Sequence, residues 1–208
     1  MFTGLVTDVG RVASIEDTNG LRRITMRSQF RVEQLQMGAS VQHSGVCLTL
    51  VEFGPDDEGS WWTVEAIPET LSRTTIGQWT KGSHVNLELS LKLGDELGGH
   101  LVYGHVDGLG AISEIRQVGD SRYSRVIRTA IPADLGRFFA EKGSVTLDGV
   151  SLTVSAVSAK NEDAWFEVSL IPHTLSVTTL GERKVGDKVN LEVDMLARYV
   201  ARMLEWRT

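Results

Sequence analysis

The chain repeats itself at a fixed interval, and that repeat limits its architecture more than any other feature. IPETLSRTTIG at 67–77 returns as IPHTLSVTTLG at 171–181, SGVCLTL at 44–50 as DGVSLTV at 148–154, and VNLE at 85–88 unchanged at 189–192. Each pair is offset by 104 residues (67 to 171, 44 to 148, 85 to 189), so no insertion separates the three segments. Further upstream, TGLVTDVG (3–10) aligns with YGHVDGLG (103–110) at an offset of 100, which places a gain of about four residues in the second copy. A period of this length is too long for a solenoid unit and suits a whole small domain. The chain therefore reads as a tandem duplication, 1–97 and 98–193, followed by a tail, 194–208.

Each copy carries β signals. In VNLELSLKL (85–93), Val85, Leu87, Leu89, Leu91 and Leu93 share one face with polar residues between them, the period of a half-buried strand. VCLTLVEF, WWTVEAI and WFEVSLI are rich in β-branched and aromatic residues, and turn-forming stretches such as GPDDEGS and AKNEDA separate the strands. Short strands at this spacing suit a small closed barrel, which also removes exposed edges. Two pieces depart from the pattern. IPADLGRFFAEKG (131–143) predicts a short helix between Pro132 and Gly143, with a weaker counterpart in QFRVEQLQMG (29–38). In the tail, Leu196, Tyr199, Val200, Met203 and Leu204 fall at helical spacing, with Asp194 as N-cap. A lone helix with an apolar face must pack on something, either its own barrel or the same helix of other subunits.

Composition narrows the function classes. The 208 residues are 41% hydrophobic and 23% charged with a formal charge of −6, ordinary for a globular protein and without the basic footprint of a nucleic-acid or membrane-surface binder. No stretch approaches the roughly 18 apolar residues of a membrane span, and the N-terminus lacks the features of a signal peptide. The single cysteine, Cys47, forms no internal disulfide, so a reduced, cytoplasmic setting is expected.

Several segments together resemble the riboflavin synthase family: MFTGLV at the start, SGVCLTL, GDELGGHLVYGHVDG at the junction, LDGVSLTV, and the two IPxTLSxTT stretches, in that order and over essentially the whole chain. The resemblance implies two tandem six-stranded Greek-key barrels plus a C-terminal helix that gathers three chains. It implies that each barrel binds one 6,7-dimethyl-8-ribityllumazine, and that the active site forms between the N-terminal barrel of one subunit and the C-terminal barrel of another. One lumazine then gives a four-carbon unit to the other, yielding riboflavin and 5-amino-6-(D-ribitylamino)uracil without metal or redox cofactor. Some relatives also dock inside a lumazine synthase shell.

A duplicated pocket makes physical sense for a reaction between two identical molecules, because holding them face to face supplies up to roughly 7–11 kcal/mol in well-oriented analogues. The copies must still differ if one substrate donates and the other accepts. They do: Cys47 corresponds to Ser151, and Ser44 to Asp148.

By the resemblance, catalytic or pocket roles fall to Cys47, His100, His105, Asp148, Ser151, Thr153, Phe2 and Ser40. Each has a plainer reading beside it. A lone cysteine is usually a small buried hydrophobe. Strand hydroxyls such as Ser151 and Thr153 often bond only to backbone, Asp148 precedes a glycine in a turn-forming pair, and Phe2 could be barrel packing. The i, i+5 spacing of His100 and His105 is no metal signature. Substrate contacts are implied for Gly4, Leu5, Val6, Cys47, Leu48 and Thr49, and for Glu65, Ala66, Ile67, Pro68, Glu69 and Thr70 in the first barrel. In the second they fall on Gly104, His105, Val106, Lys142, Ser151, Leu152 and Thr153, and on Ser169, Leu170, Ile171, Pro172, His173 and Thr174. Lys142 could equally be a helix C-terminal cation. Position 173 carries His where the first copy has Glu69, and a backbone contact would survive that change.

Two rivals stand beside the enzyme reading. A non-catalytic lumazine- or flavin-binding protein of the same build would keep one barrel and let the other decay, whereas here both copies retain their motifs. A nucleic-acid-binding barrel is disfavoured by acidity and by the few regularly placed aromatics.

Overall fold

The computed structural model describes residues 1–118, 121–160 and 163–206. The AKNEDA turn lies partly outside these residues. Among the described residues, twelve strands form two closed antiparallel barrels. The first contains β1 (Asp8–Thr18), β2 (Leu21–Ser28), β3 (Ser40–His43), β4 (Val46–Asp56), β5 (Gly59–Ala66) and β6 (His84–Leu89). The second repeats them as β7 (Gly108–Val118), β8 (Ser121–Ala130), β9 (Ser144–Leu147), β10 (Val150–Val157), β11 (Trp165–Leu170) and β12 (Lys188–Val193). Around each barrel the order is the same: β1-β2-β5-β4-β3-β6 in the first and its equivalent in the second, a Greek-key path that closes by pairing the last strand with the first.

The cores follow from alternation. Ile24, Met26, Leu50, Trp62, Val64, Val85 and Leu87 fill the first barrel, and Ile112, Ile127, Leu147, Val154, Phe166, Val168 and Leu191 the second. The sequence pattern overreaches in β6, which ends at Leu89 while Leu93 is fully exposed. Beyond Leu89 the chain enters a turn in which the Lys92 amide donates to the Asp95 carboxylate (2.8 Å), so the alternation of Leu91 and Leu93 continues with no sheet to join. Within β6 itself the polar residues do not face solvent either. Asn86 and Glu88 are buried, as are Asn190 and Glu192 in β12, because both faces of these strands are covered: one by the barrel core, the other by the facing barrel at the asparagine and by the strand's own arm at the glutamate.

The helix expected over 131–143 is only a 3₁₀ turn, Gly136–Phe138, matched by Val32–Gln34 in the first copy. Gly136 sits inside the segment and gives no helical propensity to extend the turn. Two short helices that periodicity did not reveal, α1 (Pro68–Arg73) and α2 (Pro172–Val177), open each IPxTLSxTT motif with proline at the first position, where its missing N–H is harmless. The tail forms α3 (Met195–Glu205), capped as expected by the Asp194 carboxylate accepting from the Leu196 amide at 2.9 Å. Its stripe of Leu196, Tyr199, Val200, Met203 and Leu204 is exposed in the single chain.

One internal difference between the barrels is chemical. In the first, the Trp62 indole donates to His43 Nε2 at 2.9 Å, and His43 Nδ1 lies 2.9 Å from the Val41 carbonyl, which makes Nδ1 the protonated nitrogen. The second barrel has Leu147 and Phe166 at these two positions. Burial holds the His43 pKa down to about 4, against an ordinary 6.5. A base whose folded pKa is depressed contributes stability above its unfolded pKa, and that contribution is lost as pH falls from about 6.5 to about 4. We expect acidification over this window to remove about 3 kcal/mol from the first barrel. Thermal melts followed by Trp fluorescence should show it, and His43→Leu with Trp62→Phe should abolish it. An unchanged acid slope in the double variant would refute the assignment.

Candidate active site

Each barrel is preceded by an extended arm, and the arms cross. Phe2 and Val102 pair with each other across the junction, amide to carbonyl at 2.7 and 3.0 Å, and both side chains are fully buried. Beyond this bridge, each arm lies on the opposite barrel. The Ser151 amide donates to the Gly4 carbonyl at 2.8 Å, and Val6 packs on the second core. The Cys47 amide donates to the Gly104 carbonyl at 2.9 Å, and Val106 packs on the first core. Both glycines have positive φ (75° and 73°), and a Cβ on either would sit 2.5–2.7 Å from the Cβ of Ser151 or Cys47. Glycine is thus required at both by conformation and by contact.

This crossing regroups the candidate residues. The sequence order assigns Gly4, Leu5 and Val6 to the first barrel's pocket and Gly104, His105 and Val106 to the second's. In the fold the latter set closes a cleft of about 410 Å³ beside Cys47, together with Val46, Glu69, Thr70, Arg73, Thr74 and Asp107. The former set lies against Ser151. The reason is steric and topological: each arm finds its hydrogen-bonding partner on the neighbouring barrel.

At the Ser151 face, the hydroxyl shares a 2.7 Å hydrogen bond with His100 Nδ1, and His100 Nε2 lies 3.3 Å from Thr146 Oγ1. Burial lowers the His100 pKa, against an opposing pull from the Asp194 carboxylate. His100 is therefore a neutral base near pH 7, already aligned with a hydroxyl. His105 is exposed at the rim of the other cleft, its ring 5.9 Å from that of Tyr103.

The remaining candidates scatter around these centres. Asp148 is fully buried between the barrels, in a left-handed turn conformation (φ 47°). Its carboxylate accepts from Arg183 (2.7 and 3.1 Å) and from the Asn190 amide (2.8 Å). Burial raises its pKa, with Arg183 pulling the other way. Ser40 pairs in register with Thr49 and lines a separate hollow of about 430 Å³ with Leu35, Leu50 and Leu89, outside the Cys47 cleft. Thr49, Thr153, Ser169 and Lys142 are exposed, Leu152 is half-buried, and Leu48, Ala66 and Leu170 turn into the barrels. Glu65 pairs with Arg23 at 2.7 Å, and Glu69 with Arg73 at 2.8 Å. Ile67 and Ile171 stand exposed beside Pro68, Pro172 and His173, while the Thr70 and Thr174 carbonyls accept the hydroxyls of Thr74 and Thr178.

Sequence reasoning missed Glu88 and Glu192, whose carboxylates bind the backbone amides of the two arms. Burial pushes Glu192 up to about 7 even though three amides donate to it, and nearby Asp107 adds to the push. Burial likewise raises Glu88. The signal was present: VNLE is identical in both copies, while cleft positions such as Cys47 and Ser151, or Glu69 and His173, differ.

The comparisons agree with this architecture. A family model described as "Lumazine binding domain" matches twice, over residues 3–90 and 103–194. A protein named riboflavin synthase from Brucella abortus is 49% identical, with both chains covered in full. Its namesake from Mycobacterium bovis is 45% identical over 98% of each chain, and that from Bacillus subtilis 36% identical over 98% of this chain and 90% of its own. Among solved structures, LumP complexed with riboflavin superposes with a TM-score of 0.79 at 24% identity, covering 93% of this chain and all of that one. LumP complexed with 6,7-dimethyl-8-(1'-D-ribityl) lumazine gives 0.77 at 21%, over 93% and 99%. At those identities the LumP likeness speaks to the fold.

Proposed function

The chain belongs to the riboflavin synthase family, and from that premise we propose that it converts two molecules of 6,7-dimethyl-8-ribityllumazine into riboflavin and 5-amino-6-(D-ribitylamino)uracil by transfer of a four-carbon unit. The observation that carries the reading is the pair of crossed, similarly built arm–barrel contacts with unlike centres: a thiol at Cys47 beside one, where a cleft opens, and a hydroxyl joined to a neutral histidine, Ser151–His100, beside the other. Two like pockets suit two like substrates, and unlike centres suit a donor and an acceptor.

The chemistry asked of the protein is modest. The lumazine ring is its own electron sink and acidifies its 7-methyl group. His100, kept neutral by burial, can take up a proton through Ser151, and His105 can hydrogen-bond a substrate at the rim of the Cys47 cleft. The exposed apolar residues Leu5, Ile67, Leu101 and Ile171 offer faces for flat rings.

In the same proposal the units are 1–97 and 98–193 as substrate-binding barrels and 194–208 as an assembly helix. The apolar stripe of α3 packs against the same helix of two further copies, and the N-terminal barrel of one subunit faces the C-terminal barrel of another. With its lone cysteine and no disulfide to form, the protein works in the cytoplasm.

The test is incubation of the purified protein with the lumazine alone, in the presence of a chelator. Riboflavin accumulating at half the lumazine consumed, with the aminopyrimidine as co-product, is the expected result. Tight binding without turnover would make the chain a chromophore carrier and overturn the catalytic reading.

A further inference from the structure

Buried carboxylates are expensive, and Glu88 and Glu192 are each about 95% buried without a cationic side chain among their described hydrogen-bond partners. Glu192 accepts the amides of Tyr103 (2.7 Å), Gly104 (2.8 Å) and His105 (3.1 Å). Glu88 accepts the amides of Thr3 (2.6 Å) and Gly4 (3.0 Å), the Thr3 hydroxyl (2.7 Å) and the Gln42 side-chain amide (2.9 Å). The left-handed glycine in each arm turns successive N–H groups toward one point, the concave arrangement that normally receives an anion. Here the anion is a side chain from the last strand of the arm's own barrel.

The consequence crosses between barrels. Gly104, with its amide on Glu192, offers its carbonyl to Cys47 of the first barrel. Gly4, with its amide on Glu88, offers its carbonyl to Ser151 of the second. We propose that Glu192 and Glu88 are positioning residues that act crosswise: Glu192, in the second barrel, sets the wall of the Cys47 cleft, and Glu88, in the first, sets the arm that lies against Ser151. A purely structural glutamate would affect the barrel that contains it. A positioning clamp affects the opposite one. The inference rests on the riboflavin-forming reading only for its choice of ligand.

Cys47 is the only cysteine in the chain, so alkylation by iodoacetamide reports on one cleft alone. The experiment measures how much 6,7-dimethyl-8-ribityllumazine protects Cys47 in the wild type, in Glu192→Gln and in Glu88→Gln, alongside thermal melts and riboflavin formation. Glutamine keeps the volume but turns an N–H toward amides that need an acceptor. Glu192→Gln is expected to raise the protecting concentration about tenfold or more, since buried amides of the cleft wall lose their acceptor. Glu88→Gln is expected to leave protection within about twofold while slowing riboflavin formation. Equal shifts in both variants, or none in either, would overturn the crosswise assignment. If Glu192→Gln does not fold, Glu192→Asp is read in the same way, since it keeps the charge but withdraws the carboxylate by one methylene. Wild-type protein that neither turns over nor gains protection would sink the proposed function instead, so the two failures are distinguishable.

Discussion

Replacing Asp148 by alanine is expected to destabilise the chain by about 3–4 kcal/mol, whereas Asp148→Asn should lose roughly 1–2 kcal/mol and keep turnover within about fivefold of the wild type. The carboxylate has no exposed surface, and its oxygens are taken by Arg183 and the Asn190 amide. Removing it leaves a guanidinium that is 23% exposed without its partner, a buried amide without an acceptor, and an alanine in a left-handed turn. Asparagine tolerates that turn and retains an oxygen for the Asn190 amide. The comparison separates two roles for one residue. A general base loses its function when it becomes an amide, while a joint between barrels keeps most of its own. Chemical denaturation and steady-state assays of the two variants read the answer. If Asp148→Asn folds normally and loses more than about a hundredfold in turnover, Asp148 is a base and its buried pairing is incidental.

The joint that Asp148 serves is itself reciprocal. Asn86 donates to the Asp148 carbonyl (2.9 Å) and accepts from the Thr179 amide (2.8 Å). Asn190 donates to the Ser44 carbonyl (2.7 Å) and accepts from the Thr75 amide (2.8 Å). These bonds hold the barrels at the distance the crossed arms must span. The duplication that makes two pockets therefore also makes the contact that orients them.

The sequence made the two barrels legible because its repeats fall at one offset and its strands alternate, which is local information. It did not show which polar residues are buried. Asn86 and Glu88 alternate with leucines just as solvent-facing residues would, and a period of two cannot tell water from a neighbouring barrel. Nor could six residues of α1 or α2 display a 3.6-residue period, although the proline at each N-terminus was visible. The tail helix was readable to its cap because it spans three turns and carries its own Asp194. Chain order puts Gly4 with the first barrel, and only tertiary contact puts it on Ser151. Non-local hydrogen bonds leave no mark on periodicity.

The sharpest consequence of that crossing lies at Gly104. Gly104→Ala is expected to reduce riboflavin formation about a hundredfold or more and to lower stability by about 2–4 kcal/mol. The backbone there has φ 73°, which alone costs an alanine about 1 kcal/mol. The added Cβ would meet both the Cβ and the amide nitrogen of Cys47 at 2.7 Å, so the arm must lift away, breaking the Cys47–Gly104 hydrogen bond and moving His105 with it. Gly82 separates strain from displacement. It has φ 91°, but a Cβ there would meet nothing within 4 Å, so Gly82→Ala should carry the conformational cost and leave turnover unchanged. A Gly104→Ala protein that turns over lumazine at the rate of Gly82→Ala would mean that the arm is not a wall of the Cys47 cleft. A protein that folds, binds and fails to react would mean that the second barrel's arm, more than the thiol it covers, determines where one lumazine meets the other.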